Sequence, residues 1–538
     1  MERKAFSSVA RAILATLEKE GIEKVFIVSG TDYAAFIEEK VKDNSLPEFI
    51  LVPHEITASS MALGYSLAGK LGVVAVHTVP GTLNSLGVVS NAFTSRIPLL
   101  VLAGRSPYTE EGNSASRNLR IHWTQEARDQ GELGRQYFKY DFEIRDPSQT
   151  LVAVKRALQI ALSEPRGPTY LEVPREVSVK ECEGKFLNMD PYEPGPSRKQ
   201  LQRVEELLRE AERPAIITWR AGRRKEWFDA LKEFAERIGS PVVNYVGEVS
   251  NYPSKGEMAL DKLDLREPDL LLVIESEVPW IPKRVNVEAP VVRIDVEPAY
   301  SYIPYYGFPC HVCLQSTPLA LREILVTPKD SWREEVRERV LKQREEKQRE
   351  LEKLETQSKI HPRLLSKYVS EFKAIVVNEY PFNPRYGEFS FGEYFGDLSA
   401  GYLGWALGAG LGIKMATNRD VIITTGDGSF IFGVPEAFYY AAKSYSLPTM
   451  VVIFDNEGWL ASAEAVEEVY PEGLAKAKKY FPGADFKRYN IGETVKAFGG
   501  FYRLVETPDE AKKGLEDGWR RVKMGDIAVI QAIVERAR

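Results

Sequence analysis

Cysteine is scarce in this chain, and long hydrophobic runs are missing. Only 3 of the 538 residues are cysteine, which is typical of a protein that folds in a reducing compartment. No apolar run approaches the roughly 20 residues that a membrane-spanning helix needs. The start, MERKAFSSVARAILATLEKEG, lacks a compact apolar core with a small-residue cleavage site, so we expect a mature cytoplasmic N-terminus.

An excess of basic residues is missing as well. The formal net charge is -6, so neither nucleic acid nor a membrane surface is an expected partner. The spacing of Cys310 and Cys313 in CHVC is that of half a zinc site, but the only other cysteine is Cys182. We therefore expect two small apolar residues near a domain edge, with a structural metal as the alternative.

Three α/β units follow one another along the chain. In each, β-branched runs alternate with helical stretches, which is the pattern of a doubly wound parallel sheet. In the first unit, the helix after strand Gly72–His77 is expected to begin near Leu83. We predict an α/β fold of three doubly wound parallel-sheet domains joined by a solvated, charged helical linker. The predicted boundaries are 1–182, 190–326, 327–360 for the linker, and 361–538.

One acidic residue stands between two glycines in TTGDGSFIFG, residues 424–433. The preceding run, Val421–Thr425, is typical of a buried strand, and a helix is expected from about Pro435. A carboxylate at such a turn is either a helix cap or a ligand. The rest of the third unit favours a ligand.

The next buried strand, Leu447–Phe454, ends at Asp455 and Asn456. In open parallel sheets, ligands bind beyond the carboxyl ends of the strands, so Asp427 and Asn456 can reach one point. Carboxylate, amide and carbonyl oxygens suit Mg²⁺, which keeps phosphate oxygens in its shell. We predict three metal ligands, which are Asp427, Asn456 and the carbonyl of Gly458.

The turn is also suited to phosphate. Gly426 and Gly428 let the backbone come close to a phosphate, and Ser429 at the helix start can donate to one. GDG, then 26 residues, then an acid–Asn pair is the spacing of the thiamine diphosphate signature, with Asp455 replacing the first Asn. That cofactor needs a carboxylate at N1′ of its pyrimidine. Glu55, which follows a strand and opens a helix, is the candidate; a first-turn Glu favoured by the helix dipole is the alternative.

The chain resembles the acetolactate synthase-like thiamine diphosphate enzymes over essentially its whole length. The runs that carry the resemblance are HE…A…MALGYSLA…G, PGTLN and GDGSF…DN. The resemblance implies that Glu55 binds N1′, that Leu403 wedges the cofactor into its V shape, and that the carbonyl of Gly401 holds its 4′-amino group. It further implies pyrimidine-binding, central nucleotide-binding-like and diphosphate-binding domains. It implies an obligate homodimer with shared active sites, commonly assembled as a dimer of dimers.

The resemblance also implies a reaction. A small 2-oxo acid is decarboxylated, and the acyl carbanion equivalent passes to an acceptor. Pyruvate decarboxylase-like members carry a His-His pair where this chain has a single His122, and a Glu where Ser462 stands, so aldehyde release has less support. The alternatives are a simple decarboxylase, a 2-hydroxyacyl-CoA lyase and a regulatory homologue. The last is disfavoured because Glu55, Asp427 and Asn456 are all present.

Several residues of the first unit are candidates for substrate contact. Arg105, in GRSP, replaces a Gln of acetolactate synthases, so it is a candidate for binding a carboxylate, sulfonate or phosphate. The alternative is a surface Arg in a loop. Thr31 and Asp32 follow a strand end and are candidate substrate contacts; Asp32 has the alternative of capping the helix from Tyr33.

The loop IHWTQE supplies a further set of candidates. The resemblance brings His122, Gln125 and Glu126 near the substrate, and His122 is a proton-shuttle candidate or a structural histidine. The stretch SEVPWIPKRV lacks the run of the flavin-binding members, so FAD is not expected. A basic cluster at 220–225 is interpreted as a nucleotide site or a solvated loop, and its members are Arg220, Arg223, Arg224 and Lys225.

Overall fold

A computed structural model describes residues 3–536. The first domain is a parallel sheet of six strands in the order β3-β2-β4-β5-β7-β6, and β1 pairs antiparallel with β8 beside it. The strands are β1 (Lys4–Phe6), β2 (Lys24–Val28), β3 (Glu48–Leu51), β4 (Gly72–Val76), β5 (Leu99–Arg105), β6 (Tyr140–Glu143), β7 (Pro168–Pro174) and β8 (Cys182–Gly184). The helices are α1 (Val9–Lys19), α2 (Ala34–Lys42), α3 (Glu55–Leu67), α4 (Thr78–Thr94), α5 (Ile121–Thr124), α6 (Thr150–Leu162) and α7 (Arg175–Ser178).

The central domain is a parallel sheet of five strands in the order β10-β9-β11-β12-β13. The strands are β9 (Pro214–Thr218), β10 (Val242–Val243), β11 (Leu270–Ile274), β12 (Val291–Asp295) and β13 (Val312–Gln315). Its helices are α8 (Arg198–Glu210) and α9 (Lys225–Ile238), and the long α10 (Asp330–Glu355) leads to the third domain.

The third domain repeats the strand order of the first, as β15-β14-β16-β17-β19-β18. The strands are β14 (Ile375–Glu379), β15 (Tyr394–Gly396), β16 (Val421–Gly426), β17 (Met450–Asp455), β18 (Phe501–Val505) and β19 (Ala528–Ile533). The helices are α11 (Pro362–Ser370), α12 (Trp405–Thr417), α13 (Asp427–Phe432), α14 (Pro435–Ser444), α15 (Leu460–Val469), α16 (Leu474–Lys478), α17 (Gly492–Ala497) and α18 (Pro508–Lys523). The predicted fold of three parallel-sheet α/β domains is confirmed, and no helix of the described part is long and apolar enough to cross a membrane.

Helix α4 begins earlier than the sequence predicts, and an additional short helix stands before the one that begins at Pro435 as predicted. Helix α4 starts at Thr78 rather than near Leu83, because Pro80 lies in the first turn, where no intrahelical N–H is needed. A short helix, α13, starts at Asp427 itself and precedes the helix expected from Pro435. Both differences put polar side chains that follow a strand directly at a helix start.

The first and third domains pack together through two helices. Helix α3 lies against α12 so closely that a Cβ added at Gly412 would stand 2.0 Å from the carbonyl oxygen of Met61. A Cβ at Gly64 would stand 2.1 Å from the carbonyl oxygen of Ala409. Glycine at these positions lets the two backbones touch, which explains the glycine-rich run LGAGLG.

The prediction of a solvated helical linker is wrong for one face of α10, which is buried. Trp332, Val336 and Val340, four residues apart, are buried in the core that the central and third domains share. Leu351 and Leu354 continue this contact. The helix is therefore amphipathic, and its charged residues lie on the other face.

The basic cluster at 220–225 is neither a solvated loop nor an open phosphate site. Arg220 is fully buried, pairs with Glu277 and donates to the carbonyl of Thr94 at 2.7 Å. Arg223 pairs with Glu275 at 2.9 Å. Arg224 and Lys225 are also paired with carboxylates. Arg220 and Arg223 join the central domain to the first, since Arg223 also donates to the carbonyl of Arg96 at 3.2 Å. Their charges are paired, as buried charges need to be.

The cysteine expectation is wrong as well. Cys310 and Cys313 are joined by a disulfide, whereas Cys182 is free and buried.

Candidate active site

A cavity of about 780 Å³ opens at the carboxyl ends of β14, β16 and β17. This is the edge at which parallel sheets bind ligands. The structure brings together here every third-domain residue predicted for the cofactor or the metal. They are Gly401, Leu403, Gly426, Asp427, Gly428, Ser429, Asn456 and Gly458.

Two of the oxygens predicted to hold a metal have no hydrogen-bond partner among the described residues. Oδ1 of Asp427 and Oδ1 of Asn456 are buried and accept no hydrogen bond from the described residues. Burying an unpaired acceptor is costly, so this pair fits a site that a cation completes. Burial, and then the charge of Asp455, raises the pKa of Asp427 to about 6, which a cation would counter.

The carboxylate of Asp455 is already engaged in hydrogen bonds with the protein. It is buried and accepts from Nε2 of Gln531 at 2.7 Å and from the backbone N of Glu457 at 3.1 Å. The carbonyl of Gly458 accepts only from the backbone N of Leu460 among the described backbone contacts, at 3.1 Å, which leaves a lone pair. The donor set is thus one carboxylate, one amide oxygen and one carbonyl, which suits Mg²⁺.

The start of α13 supplies a phosphate cradle. The N–H groups in the first turn of a helix have no intrahelical acceptor, and Gly428 and Ser429 contribute such groups to the cavity wall. Ser429 lies in the third position of α13 rather than at its first, because this helix begins at Asp427. The chain can therefore hold a diphosphate and its metal side by side.

Sequence reasoning missed Glu379, the last residue of β14. Its side chain is buried, and its carboxylate accepts from the backbone N of Ala406 at 2.8 Å and from the backbone N of Gly404. Burial raises its pKa to about 8. The carboxylate holds the start of α12 and the end of the loop that carries Gly401 and Leu403. The strand-end reasoning applied to Asp427 would also have found Glu379.

A polar cluster lies at the carboxyl ends of the first-domain strands. Oγ1 of Thr31 lies 3.1 Å from Nε2 of His122, which is buried. Oδ1 of Asp32 lies 2.5 Å from Nδ1 of His77. The helical segment at Tyr33 has no side-chain cap, so the capping alternative for Asp32 is wrong. Of the candidates from this domain, the structure brings Thr31, Asp32, His122 and Gln125 into one cluster with His77.

Sequence reasoning missed His77, which follows β4 directly. Burial lowers the pKa of His77, but the hydrogen bond and charge of Asp32 outweigh it, with smaller contributions from Gln125 and Glu55, and the net pKa is raised. Burial lowers the pKa of His122, and the charge of Arg175 adds to this. The two histidines are therefore biased toward opposite protonation states, as an acid and a base require.

The backbone at His77 is unusual too. The next residue, Thr78, has φ 42°, which a β-branched residue rarely adopts. Such outliers cluster at functional sites.

Glu55 opens α3 and faces α4. Its Oε2 accepts from Nδ2 of Asn84 at 3.1 Å. As the first residue of α3, it also has the favourable dipole position of the alternative interpretation, and the two roles are compatible.

The structure does not support Arg105 as an anion-binding residue. Its guanidinium contacts Glu126, Glu143 and Glu172, each at 2.9 Å. Three carboxylates around one cation leave no positive charge to attract an anionic substrate. Glu126 is occupied in the same cluster.

Glu55 does not line the cavity, so two candidate half-sites are distinguished, which are the surroundings of Glu55 and the cavity. In the described part of the chain, every residue that lines the cavity lies between Tyr380 and Ser462. Exposed apolar side chains lie beside both halves. They are Leu83, Leu119, Ile121 and Trp123 in the first domain, and Ile431, Phe432 and Tyr440 in the third.

Two family models match this chain, one in its first domain and one in its third. The N-terminal TPP binding domain of thiamine pyrophosphate enzymes matches residues 7–133, and the C-terminal TPP binding domain matches residues 385–532. The acetolactate synthase large subunit of Haemophilus influenzae is 23% identical, covering 95% of this chain and 92% of the relative. The 2-hydroxyacyl-CoA lyase of Arabidopsis thaliana is 26% identical, covering 90% and 88%.

Solved structures share the fold. The benzoylformate decarboxylase from Polynucleobacter necessarius superposes with a TM-score of 0.78 at 20% identity, covering 99% of both chains. The 4-hydroxybenzoylformate decarboxylase of Rhodococcus jostii gives 0.75 at 19%, covering 98% of this chain and 99% of the other. The two matched domains are those that carry the half-sites. The chain therefore belongs to the thiamine pyrophosphate enzymes and is an enzyme of the acetolactate synthase-like kind.

Proposed function

We propose that the protein binds thiamine diphosphate with Mg²⁺, decarboxylates a small 2-oxo acid and transfers the acyl carbanion equivalent to an acceptor. The observation that carries the proposal is the pair of buried, unpartnered oxygens of Asp427 and Asn456 at the wall of the cavity. When bound, the cofactor supplies a carbon nucleophile for the 2-oxo group and an electron sink for decarboxylation.

The residues of the chain take distinct roles in this proposal. Asp427, Asn456 and the carbonyl of Gly458 hold the metal against the diphosphate, while the start of α13 binds phosphate oxygens. The carbonyl of Gly401 and the side chain of Leu403 orient the pyrimidine. Glu55, oriented by its bond from Asn84, holds a proton at N1′.

The substrate side is assigned to the first-domain cluster. Thr31 and Gln125 contact the substrate, His77 donates protons, and His122 stays neutral in its buried position and accepts them. Arg105 is left out of the assignment because carboxylates occupy it.

The test is a panel of 2-oxo acids incubated with protein, thiamine diphosphate and Mg²⁺. Each reaction is run without an acceptor, with a second 2-oxo acid as acceptor, and with an aldehyde as acceptor. Release of CO₂ together with a product that joins two substrates is the expected result. No CO₂ from any member of the panel, with cofactor binding demonstrated, would refute the proposed reaction.

A second candidate, decarboxylation with release of an aldehyde, is favoured by one observation. The Asp32 carboxylate raises the pKa of His77 above the ordinary 6.5, so a protonated imidazolium persists toward neutral pH beside the substrate cluster. Such a group can deliver the proton that aldehyde release requires. The ratio of aldehyde to ligation product distinguishes the two candidates.

We expect this ratio to depend on His77 and on pH. A raised pKa means that the proton is present at low pH and is lost as pH rises through the raised value. The aldehyde share should therefore fall with rising pH above about 6.5 in the wild type. His77→Asn should give a small aldehyde share that no longer changes with pH, measured by product analysis. His311→Asn is the control, because His311 is exposed in the central domain; a His77→Asn profile like that of this control would contradict the role.

We also propose that the active site is shared across a two-fold dimer. The separation of Glu55 from the cavity and the exposed apolar side chains beside both half-sites support this arrangement. The first domain of one subunit then meets the third domain of its partner.

Mixing two inactive variants tests the shared site. Glu55→Ala and Asp427→Ala subunits, dissociated and reassociated at equal amounts, form about half mixed dimers. Each mixed dimer has one site with both lesions and one with neither, so activity should recover to roughly a quarter of the wild type. Subunit exchange is verified with a mass-tagged chain. Exchange with activity at background would mean that each site is built within one chain.

A further inference from the structure

We propose that Asn91 is a positioning residue for the cofactor, because its side-chain amide clamps the backbone of Tyr402 and so fixes the loop that carries Gly401 and Leu403. The inference rests on the proposed function, since it concerns the cofactor-facing groups of that site. Asn91 lies in α4 of the first domain, 311 residues from Tyr402.

The clamp consists of two hydrogen bonds. Nδ2 of Asn91 donates to the carbonyl of Tyr402 at 2.9 Å, and the backbone N of Tyr402 donates to Oδ1 of Asn91 at 3.1 Å. One planar amide thus satisfies both backbone groups of a single residue, which fixes its position and its rotation together. Asn91 is fully buried, so solvent does not compete for either bond.

Tyr402 lies between the two groups proposed to orient the cofactor, the carbonyl of Gly401 and the side chain of Leu403. Gly401 precedes Tyr402 and Leu403 follows it, and both line the cavity. A shift of the Tyr402 backbone therefore moves the carbonyl of Gly401 and the side chain of Leu403 at once. Asn91 does not line the cavity itself, so it acts through the loop.

The loop needs an external restraint at this point. Gly401 has φ 70° and Gly404 has φ 79°, and glycine restricts the backbone less than any other residue. The loop is anchored at its two ends. Ser399 N donates to Oγ of Ser95 at 3.0 Å, and Gly404 N donates to Glu379. Asn91 holds the centre between them.

The same helix also orients the other half-site. Asn84 of α4 donates to Glu55 and lies seven residues, or about two helical turns, before Asn91. Residues at this spacing share one face of a helix. Helix α4 therefore presents two asparagines, one for the catalytic carboxylate and one for the cofactor loop.

Two variants of Asn91 separate the clamp from packing. Asn91→Ala removes both hydrogen bonds and leaves a cavity, whereas Asn91→Leu removes both bonds but fills the space with a side chain of the same branched shape. Ser90→Ala is the matched control, because Oγ of Ser90 donates only to the carbonyl of Gly87 within the same helix. Binding of thiamine diphosphate with Mg²⁺ is measured by calorimetry, and C2–H exchange of the bound cofactor is measured by NMR at saturation.

We expect both Asn91 variants to exchange C2–H about 10- to 100-fold more slowly than the wild type at saturating cofactor, because a misplaced reacting group costs this much. The Ser90→Ala rate should equal that of the wild type. The near-ultraviolet circular dichroism of the bound pyrimidine should change in the Asn91 variants alone. Unchanged exchange and dichroism in a folded Asn91 variant would overturn the inference, since a merely structural residue would alter only the melting temperature.

A measurement on the wild type needs no variant. The backbone N–H of Tyr402 should be strongly protected from exchange with deuterium in the cofactor-free protein, because Asn91 accepts its hydrogen bond. Rapid exchange at Tyr402 would overturn the clamp even if both variants failed to fold. If the wild type binds no thiamine diphosphate, the proposed function is refuted instead. Failure of the Asn91 inference can therefore be distinguished from failure of the proposed function.

Discussion

Glu55→Gln is expected to bind thiamine diphosphate with nearly wild-type affinity and to lose activity by about 10²- to 10⁴-fold. The amide keeps the size of the side chain, and its oxygen can still accept from Asn84, so the geometry of the half-site survives. What is lost is the carboxylate that stabilises a proton at N1′. The loss should therefore appear in C2–H exchange as well as in turnover.

The control for this change is Glu48→Gln. Glu48 lies in the first-domain sheet as well, but its side chain is largely exposed and pairs with Lys24. Calorimetry should give similar cofactor affinities for both variants and the wild type, while only Glu55→Gln exchanges slowly. A wild-type exchange rate in Glu55→Gln would remove Glu55 from the mechanism.

Local patterns were sufficient to predict that Asp427, Asn456 and Gly458 lie together, whereas Gly401 and Leu403 were implied only by the family resemblance. Strand β16 ends at Gly426 and β17 at Asp455, so the side chains that follow are set by hydrophobic runs that can be read directly. Their convergence follows from the geometry of parallel sheets. The same strand-end rule also selects His77 after β4 and Glu379 at the end of β14, the two residues that the sequence analysis lacks.

Other errors arose from contacts that no local pattern contains. The motif predicts Arg105 as an anion-binding residue. Its charge is instead paired with Glu143 and Glu172, which lie on strands far from it in sequence. Arg220 resembles a surface charge in sequence, yet its partner Glu277 lies 57 residues away and both are buried. Ion pairs of this kind depend on how elements distant in sequence pack within a domain, which periodicity does not report.

The sequence pattern also does not predict the order of the strands within each sheet. The βαβ alternation predicts parallel strands, but it does not state that the first and third sheets share one order. In that shared order, Asp427 after β16 and His77 after β4 occupy equivalent positions, whereas Glu55 comes after the edge strand β3.

Asp427→Ala is expected to weaken Mg²⁺-dependent binding of thiamine diphosphate by about 100-fold or more, which corresponds to about 2.8 kcal/mol. The substitution removes the one carboxylate of the predicted donor set and leaves Asn456 and the carbonyl of Gly458, both neutral. Neutral oxygens hold a dication less strongly than a carboxylate does, so the metal that neutralises the diphosphate charge is retained poorly. Unlike the loss in Glu55→Gln, this loss should be in binding itself.

Two further variants make the result specific to the charge at this position. Asp427→Asn keeps the shape and should weaken binding nearly as much as Asp427→Ala, because the carboxylate is what the cation needs. Asp420→Asn changes an Asp that directly precedes β16, at the opposite end of the same strand, where it pairs with Lys523, and should bind the cofactor normally. Calorimetry with and without Mg²⁺ gives the comparison. If Asp427→Ala binds with unchanged affinity and an unchanged Mg²⁺ requirement, the metal is held elsewhere, and the unpaired oxygens of Asp427 and Asn456 need another explanation.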